Sequence, residues 1–289
     1  MFCRYSMLTN NPFRRLDSIL LDQLRNVNPK ARPILYVLDL PIQQALAFGG
    51  SVLVDKESYE IEAKIFAAFD VFCVVNNNMA RAISRRYGIS LSKFVEFRIH
   101  DYGVAPIHVP IDKPKPKKWR LICAGNGNKT YAGEWAKELL YSPSVTYEFV
   151  GYGWEWLRQV NRQDIIYKGQ FSQQQLSDYS ASSSHFGIIA YSDELAEYLE
   201  YCCPSKFGAY LSAGVPVIVL SKNKYLTSLV RKYAVGFALD HLEEIPTVLE
   251  ALSESEYNEM RRASLDLGNR IREGFFFKRA VIQSINKLR

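Results

Sequence analysis

The sequence predicts an α/β protein built on two parallel sheets in tandem. Short β-branched or aromatic runs alternate with helix-length amphipathic stretches, the pattern of parallel strands joined by helical crossovers. The alternation is interrupted once, at the proline- and lysine-rich stretch Pro110–Lys118, and then restarts. The length of 289 residues corresponds to about two domains at roughly 150 residues each.

In the first part the strand candidates are Cys3–Leu8, Ile34–Leu40, Val71–Val75 and Phe94–Ile99. Between them Phe13–Asn26, Glu57–Phe69 and Met79–Tyr87 have helical spacing, and Gly88 closes the last. Pro110–Lys118 is too stiff and polar for a core element, so the domain boundary is expected there, giving a first domain over 1–117. Beyond it strands are expected at Arg120–Ala124, Tyr147–Gly151, Asp164–Gly169, Phe186–Tyr191, Pro216–Leu220 and Gly236–Asp240. Helices are expected at Gln173–Ser180, Lys206–Ala213 and Tyr225–Tyr233. Ser253–Arg289 reads as two helices broken near Gly274, so the second domain spans 118–274 and a closing helix, 275–289, packs back on the first.

Composition narrows the class. Hydrophobic residues make up 48% and charged residues 23%, which excludes a disordered chain. The apolar runs are strand length, far short of the roughly 20 residues of a spanning helix. Met1–Asn10 lacks the basic-then-apolar layout of a signal peptide. Five cysteines are an odd number, and Cys202–Cys203 has neither the spacing nor the histidines of a zinc site. A reduced, cytoplasmic protein is therefore expected. The net charge of +6 is modest, and nucleic acid is not expected as a partner. Its densest expression, Lys113–Arg120, has five basic residues and no acid. That cluster reads either as a solvated linker or as a peripheral contact with the inner face of an anionic membrane.

The segment Cys203–Leu220, CPSKFGAYLSAGVPVIVL, carries the most chemistry. Ser205 is a good N-cap and Pro204 is tolerated at a helix start. Lys206 would then join exposed amides and the positive end of the helix dipole, a combination suited to a diphosphate. The alternative is a solvated first-turn lysine. Gly214 ends the helix and Pro216 opens the next strand.

The Pro-Ser-Lys start, the Tyr-Leu helix and Ala-Gly-Val-Pro-Val-Ile-Val together resemble the donor-domain motif of GT-B nucleotide-sugar glycosyltransferases. The sequence is similar to the accessory glucosyltransferases of serine-rich adhesins and to galactofuranosyltransferase-like enzymes. Ala124-Gly125-Asn126 carries the same resemblance, as do Ser255-Glu256-Tyr257 and Glu273-Gly274-Phe275-Phe276 with Lys278-Arg279, and more weakly Ile34–Pro41 and Ala68–Tyr87. It implies two Rossmann-like domains and transfer of a hexosyl group, most often from a UDP-linked donor, to a hydroxyl of a glycan, glycoprotein or lipid-linked saccharide. It implies no cofactor beyond that donor, and a homo-oligomer.

Carried over by position, Lys206 contacts the diphosphate, with Pro204 and Ser205 shaping its loop. Gly125, Asn126 and Lys129 lie in the cleft loop, Lys129 standing where relatives often have an arginine. Leu38-Asp39-Leu40-Pro41 resembles a His-Asp-x-x-Pro element with leucine in the histidine's place. Asp39 is then the general-base candidate, or else a cap for the following helix. His100-Asp101 is the second choice. Asp193 and Glu194 would bond donor hydroxyls or cap a helix, and Tyr191 and Tyr198 would stack on base or sugar. No Asp-x-Asp occurs, so a metal-independent site is expected, with Lys206 and the helix dipole stabilising the leaving diphosphate.

Relatives carry a further βα unit ahead of the point where the match begins, so the first domain is expected to be shortened, with four strands against six. A non-catalytic nucleotide-sugar-binding or scaffold subunit is the alternative function.

Overall fold

The computed structural model describes residues 2–5, 23, 26–47, 56–107, 110, 112–127 and 135–289. The chain forms two compact units. The first comprises Met1–Ile99, Glu197–Cys203 and Phe276–Arg289, the second His100–Ala196 and Pro204–Phe275.

The first unit is a parallel sheet of β1 (Phe2–Tyr5), β2 (Ile34–Val37), β3 (Val71–Val74) and β4 (Phe94–Glu96), in the spatial order β1-β2-β3-β4. Ile34 pairs with Val71 and Phe72 with Phe94. All four β3 residues are buried, as expected of a strand covered on both faces. Helix Asn77–Tyr87 follows β3. The Asn76 side chain accepts the Met79 amide at its start, and Gly88 takes the left-handed conformation (φ 66°) at its end. Helix Phe275–Leu288 belongs to this sheet from Phe276 onward. Ser284 Oγ lies 3.1 Å from Cys73 Sγ, Phe277 meets the Tyr36 ring edge-on, and Lys287 Nζ donates to the Ser92 carbonyl (2.7 Å).

The second unit holds β5 (Trp119–Ala124), β6 (Val145–Val150), β7 (Ile165–Tyr167), β8 (Phe186–Ile189), β9 (Val217–Leu220) and β10 (Gly236–Leu239). All are parallel, in the order β7-β6-β5-β8-β9-β10. Counted from β5 this is third, second, first, fourth, fifth, sixth. The order reverses between β5 and β8, which opens a crevice at their carboxyl ends. Trp119, Tyr147, Phe149, Trp154, Phe186 and Tyr257 are among the side chains that fill the core. Helix Glu254–Arg272 packs on helix Ser205–Ser212 so closely that a Cβ at Gly268 would lie 1.9 Å from the Leu211 carbonyl oxygen.

Several expectations need correction at their edges. β2 stops at Val37 and β8 at Ile189, short of the expected Leu40 and Tyr191, because the final residues of each run leave the ladder for the carboxyl-end loops. Pro216 precedes β9, lacking the amide a ladder requires. The helix expected after Asp39 runs Pro41–Ala47, and a short helix at Ile245–Ala251 adds to the expected elements. The expected helix Phe13–Asn26 lies almost wholly outside the described residues.

The Lys113–Arg120 stretch is not a free solvated linker. Lys113 Nζ donates to the Ala181 carbonyl (3.0 Å) and its amide to Asn258 Oδ1 (2.9 Å). Lys115 Nζ reaches the Glu250 carbonyl (2.9 Å), and Arg262 grips Asp112 through two nitrogens. The segment is a strap on the second unit.

Candidate functional site

The second unit's crevice begins where β5 ends. Gly125 turns the chain at φ +116°, a conformation a side chain resists, and its amide donates to the Val150 carbonyl (2.9 Å). Two indoles fix the loop beyond β5. Trp154 Nε1 donates to the Gly125 carbonyl (3.0 Å) and Trp156 Nε1 to the Gly127 carbonyl (3.1 Å). A Cβ on Gly127 would fall 2.1 Å from the Trp154 ring, and one on Gly151 equally close to the Gly125 carbonyl oxygen. The loop is therefore a backbone surface, clamped from below. Asn126, half-buried, lies between these anchored glycines, and Lys129 lies outside the described residues.

Across the order reversal stands helix Ser205–Ser212. Pro204, not Ser205, occupies its N-cap position (φ −59°, ψ 135°), and no side chain caps it. Proline has φ fixed near the required value and no amide to satisfy, so it opens the helix, and Ser205 becomes the exposed first helical residue. Phe207 bonds back to the Pro204 carbonyl. The amides of Ser205 and Lys206 precede any intrahelical acceptor and keep the helix's positive end open. Tyr210, fully buried on the same helix, accepts the Ala124 amide on its hydroxyl (2.6 Å), tying the helix to the end of β5. Its ring lies where a Gly187 Cβ would be.

Lys206 is held between both elements. A Cβ on Gly125 would be 3.6 Å from its Cε and Nζ, and Nζ sits 4.4 Å from the Tyr191 ring centroid just beyond β8. The ammonium is half-buried with no carboxylate paired to it among the described residues. Desolvation lowers its pKa to about 8, partly opposed by Cys123. Gly125, Tyr191, Pro204, Ser205 and Lys206 thus meet at one crevice, which offers amides, a helix dipole and a cation to an anionic ligand.

The remaining candidates lie elsewhere. Asp39 belongs to the first unit, follows β2, and accepts a short hydrogen bond from the Tyr198 hydroxyl. Tyr198 is therefore buried against a carboxylate and has no open face for stacking. His100 runs over helix Ser205–Ser212, where its carbonyl takes the space beside Gly208. Asp193 starts a short 3₁₀ turn, is exposed, and pairs with Lys222 beyond β9, while Glu194 is exposed. The residues not anticipated are Trp154, Trp156 and Tyr210. The run Gly151–Trp156 (GYGWEW) is the sequence signal for the two indoles, and Tyr210 is the tyrosine of the Tyr-Leu helix that follows Pro-Ser-Lys.

A doubly wound parallel sheet, with a lysine at its order reversal that has no carboxylate partner among the described residues, defines a Rossmann-type unit. Residues 122–284 match the Glucosyltransferase 3-like, C-terminal domain family, and the chain belongs to that family. It is 24% identical over 202 residues to Glucosyltransferase 3 of Streptococcus parasanguinis, covering 70% of this chain and 56% of that protein. It is 22% identical over 230 residues to the β-1,6-galactofuranosyltransferase WbbI of Escherichia coli (strain K12), covering 77% and 66%. The chain thus spans between about half and two thirds of the length of these two relatives. Among solved structures, the complex of Anabaena Alr3699/HepE with UDP-glucose superposes with a TM-score of 0.56 at 8% identity, covering 98% of both chains. These likenesses establish the GT-B fold class of two Rossmann-like units.

Proposed function

We propose that the protein is a glycosyltransferase. It transfers a hexosyl group from a nucleotide sugar to a hydroxyl on a glycan, glycoprotein or lipid-linked saccharide. The observation that carries this reading is the seat of Lys206, between the clamped Gly125 loop and the open start of helix Ser205–Ser212. A departing nucleoside diphosphate gains negative charge as the sugar bond breaks, and a preorganised ammonium and amides stabilise that charge. UDP is the favoured nucleotide because the HepE structure holds UDP-glucose and the GT-B relatives commonly use UDP-linked donors. Lys206 contacts the diphosphate, and Asn126 and Lys129 contribute from the cleft loop. Asp39, which accepts a hydrogen bond from the Tyr198 hydroxyl, takes the acceptor's proton. The reaction needs no metal in this reading, because a cation and a helix dipole already face the leaving group.

The protein acts in the cytoplasm, as a homo-oligomer, in building glycoprotein or polysaccharide. No helix among the described residues is long and apolar enough to cross a membrane. Lys117, Lys118 and Arg120, the exposed part of the strap, remain available to an anionic membrane surface.

Incubation with UDP-glucose, UDP-galactose and UDP-GlcNAc, with and without EDTA, tests this. Release of UDP that survives EDTA is expected. UDP binding without turnover in any acceptor mixture would instead identify a non-catalytic donor-binding subunit. One observation favours that second reading: the four described strands of the first sheet run in sequence, with no order reversal among the described residues to open a crevice of its own.

A further inference from the structure

The lysine of the crevice is oriented by a ring rather than by an acid. β8 ends at Ile189, Ala190 is still buried, and Tyr191 is half-buried beyond it. The Tyr191 ring centroid lies 4.4 Å from Lys206 Nζ. Gly125 borders the same atoms, since a Cβ there would touch Cε and Nζ at 3.6 Å. Cys123, at the end of β5, is the titratable group whose charge acts on the lysine. Asp193, two residues past Tyr191, is paired with Lys222. No carboxylate pairs with Lys206 among the described residues.

A lysine side chain is flexible, and fixing it in one place costs rotamer entropy. A carboxylate could hold the ammonium, but it would also satisfy the charge, and a diphosphate would have to displace it. The face of an aromatic ring attracts a cation through its quadrupole and carries no net charge, so the ammonium keeps its attraction for an anion. That attraction grows where water is withdrawn, and desolvation is the main influence on Lys206.

We propose that Tyr191 is the positioning residue for Lys206: its ring face holds the ammonium where that group meets the donor diphosphate. The ammonium stays on the ring in the complex, so the lysine is preorganised for the ligand rather than released to it. Tyr191 then acts through Lys206 instead of stacking on base or sugar. The role rests on the assignment of Lys206 to the diphosphate, whereas the contact between ring and ammonium stands without it.

A graded series at position 191 of the full chain tests this: Tyr191→Phe, then phenylalanine carrying one, two and three ring fluorines. Fluorine drains the negative face of the ring and changes its size little, so a merely structural role would not follow the series. Two quantities are read. The pKa of Lys206 comes from its ε-methylene NMR signals without ligand, assigned through Lys206→Arg. The UDP dissociation constant comes from calorimetry at pH 6, where the lysine stays charged. Tyr191→Phe keeps the ring and should leave both close to wild type. Along the fluorinated series the pKa should fall stepwise, because the ring favours the charged form, and UDP binding should weaken about fivefold by the third fluorine. A Lys206 pKa constant along the series overturns the proposal with no ligand present. A falling pKa with UDP affinity unchanged or improved also overturns it, because the ammonium would then leave the ring to bind. UDP affinity equal in wild type and Lys206→Ala, or absent from both, removes the donor assignment instead, and the role of Tyr191 falls with it.

Discussion

In the proposed function Lys206 governs donor binding, and its environment sets a pH dependence. Its pKa of about 8 lies below the ordinary lysine value because the side chain is desolvated. A diphosphate binds the protonated form, so affinity for UDP should hold below pH 8 and fall as pH rises through that value. Lys206→Arg, whose charge persists at all accessible pH, should flatten the curve above pH 8. Calorimetric titrations with UDP between pH 6.5 and 9.5 check both. A wild-type affinity independent of pH would contradict a desolvated Lys206 ammonium as the group that meets the ligand. Asp39 gives a complementary test: Asp39→Asn should leave UDP affinity unchanged and remove sugar transfer to acceptor. The Pro-Ser-Lys signature made Lys206 legible in the sequence, because a helix start announces itself locally. Its neighbours Gly125 and Tyr191 follow strands more than 60 residues apart in the chain, and only the parallel pairing of β5 with β8 brings them together.

At the scale of elements, the glycine loop is held by indoles rather than by its own sequence. Trp154→Phe removes the N–H that bonds the Gly125 carbonyl and keeps most of the ring. A net loss of about 1 kcal/mol in UDP binding is expected, read as a roughly fivefold weaker dissociation constant with the far-ultraviolet circular dichroism unchanged. Trp154 was hidden because an indole in an aromatic-rich turn reads as core, and it is also core. Gly268 is a second case. A methyl there meets the Leu211 carbonyl, so Gly268→Ala should separate helix Glu254–Arg272 from helix Ser205–Ser212. Overpacking of this kind costs about 1–3 kcal/mol, measurable as a lower urea midpoint. An unchanged midpoint would mean the helices pack less closely than described. Local sequence misleads in the other direction at Pro204 and Ser205. Capping preference points to the serine, but proline's fixed φ and missing amide make it the better residue to stand outside the first turn.

Over the whole molecule, hydrophobic alternation made the two-sheet architecture legible. Parallel strands buried on both faces are short apolar runs, and ten of them could be read directly. Strand order was not legible, since alternation is the same whichever way each crossover turns. The reversal between β5 and β8, and the unreversed order of the four described strands of the first sheet, emerge only in three dimensions. The basic strap was hidden for a related reason: proline and lysine signal exposure, but Lys113 and Lys115 spend their ammonium groups on carbonyls of the second unit.

The central claim is that this second unit binds a nucleoside diphosphate through Lys206. Isothermal titration of UDP into the wild-type and Lys206→Ala proteins at pH 7 tests it most directly. Charge-assisted hydrogen bonds contribute about 1.5–3 kcal/mol, so the variant should bind UDP roughly 10- to 100-fold more weakly while keeping its thermal midpoint. Equal affinity in the two proteins would contradict the assignment.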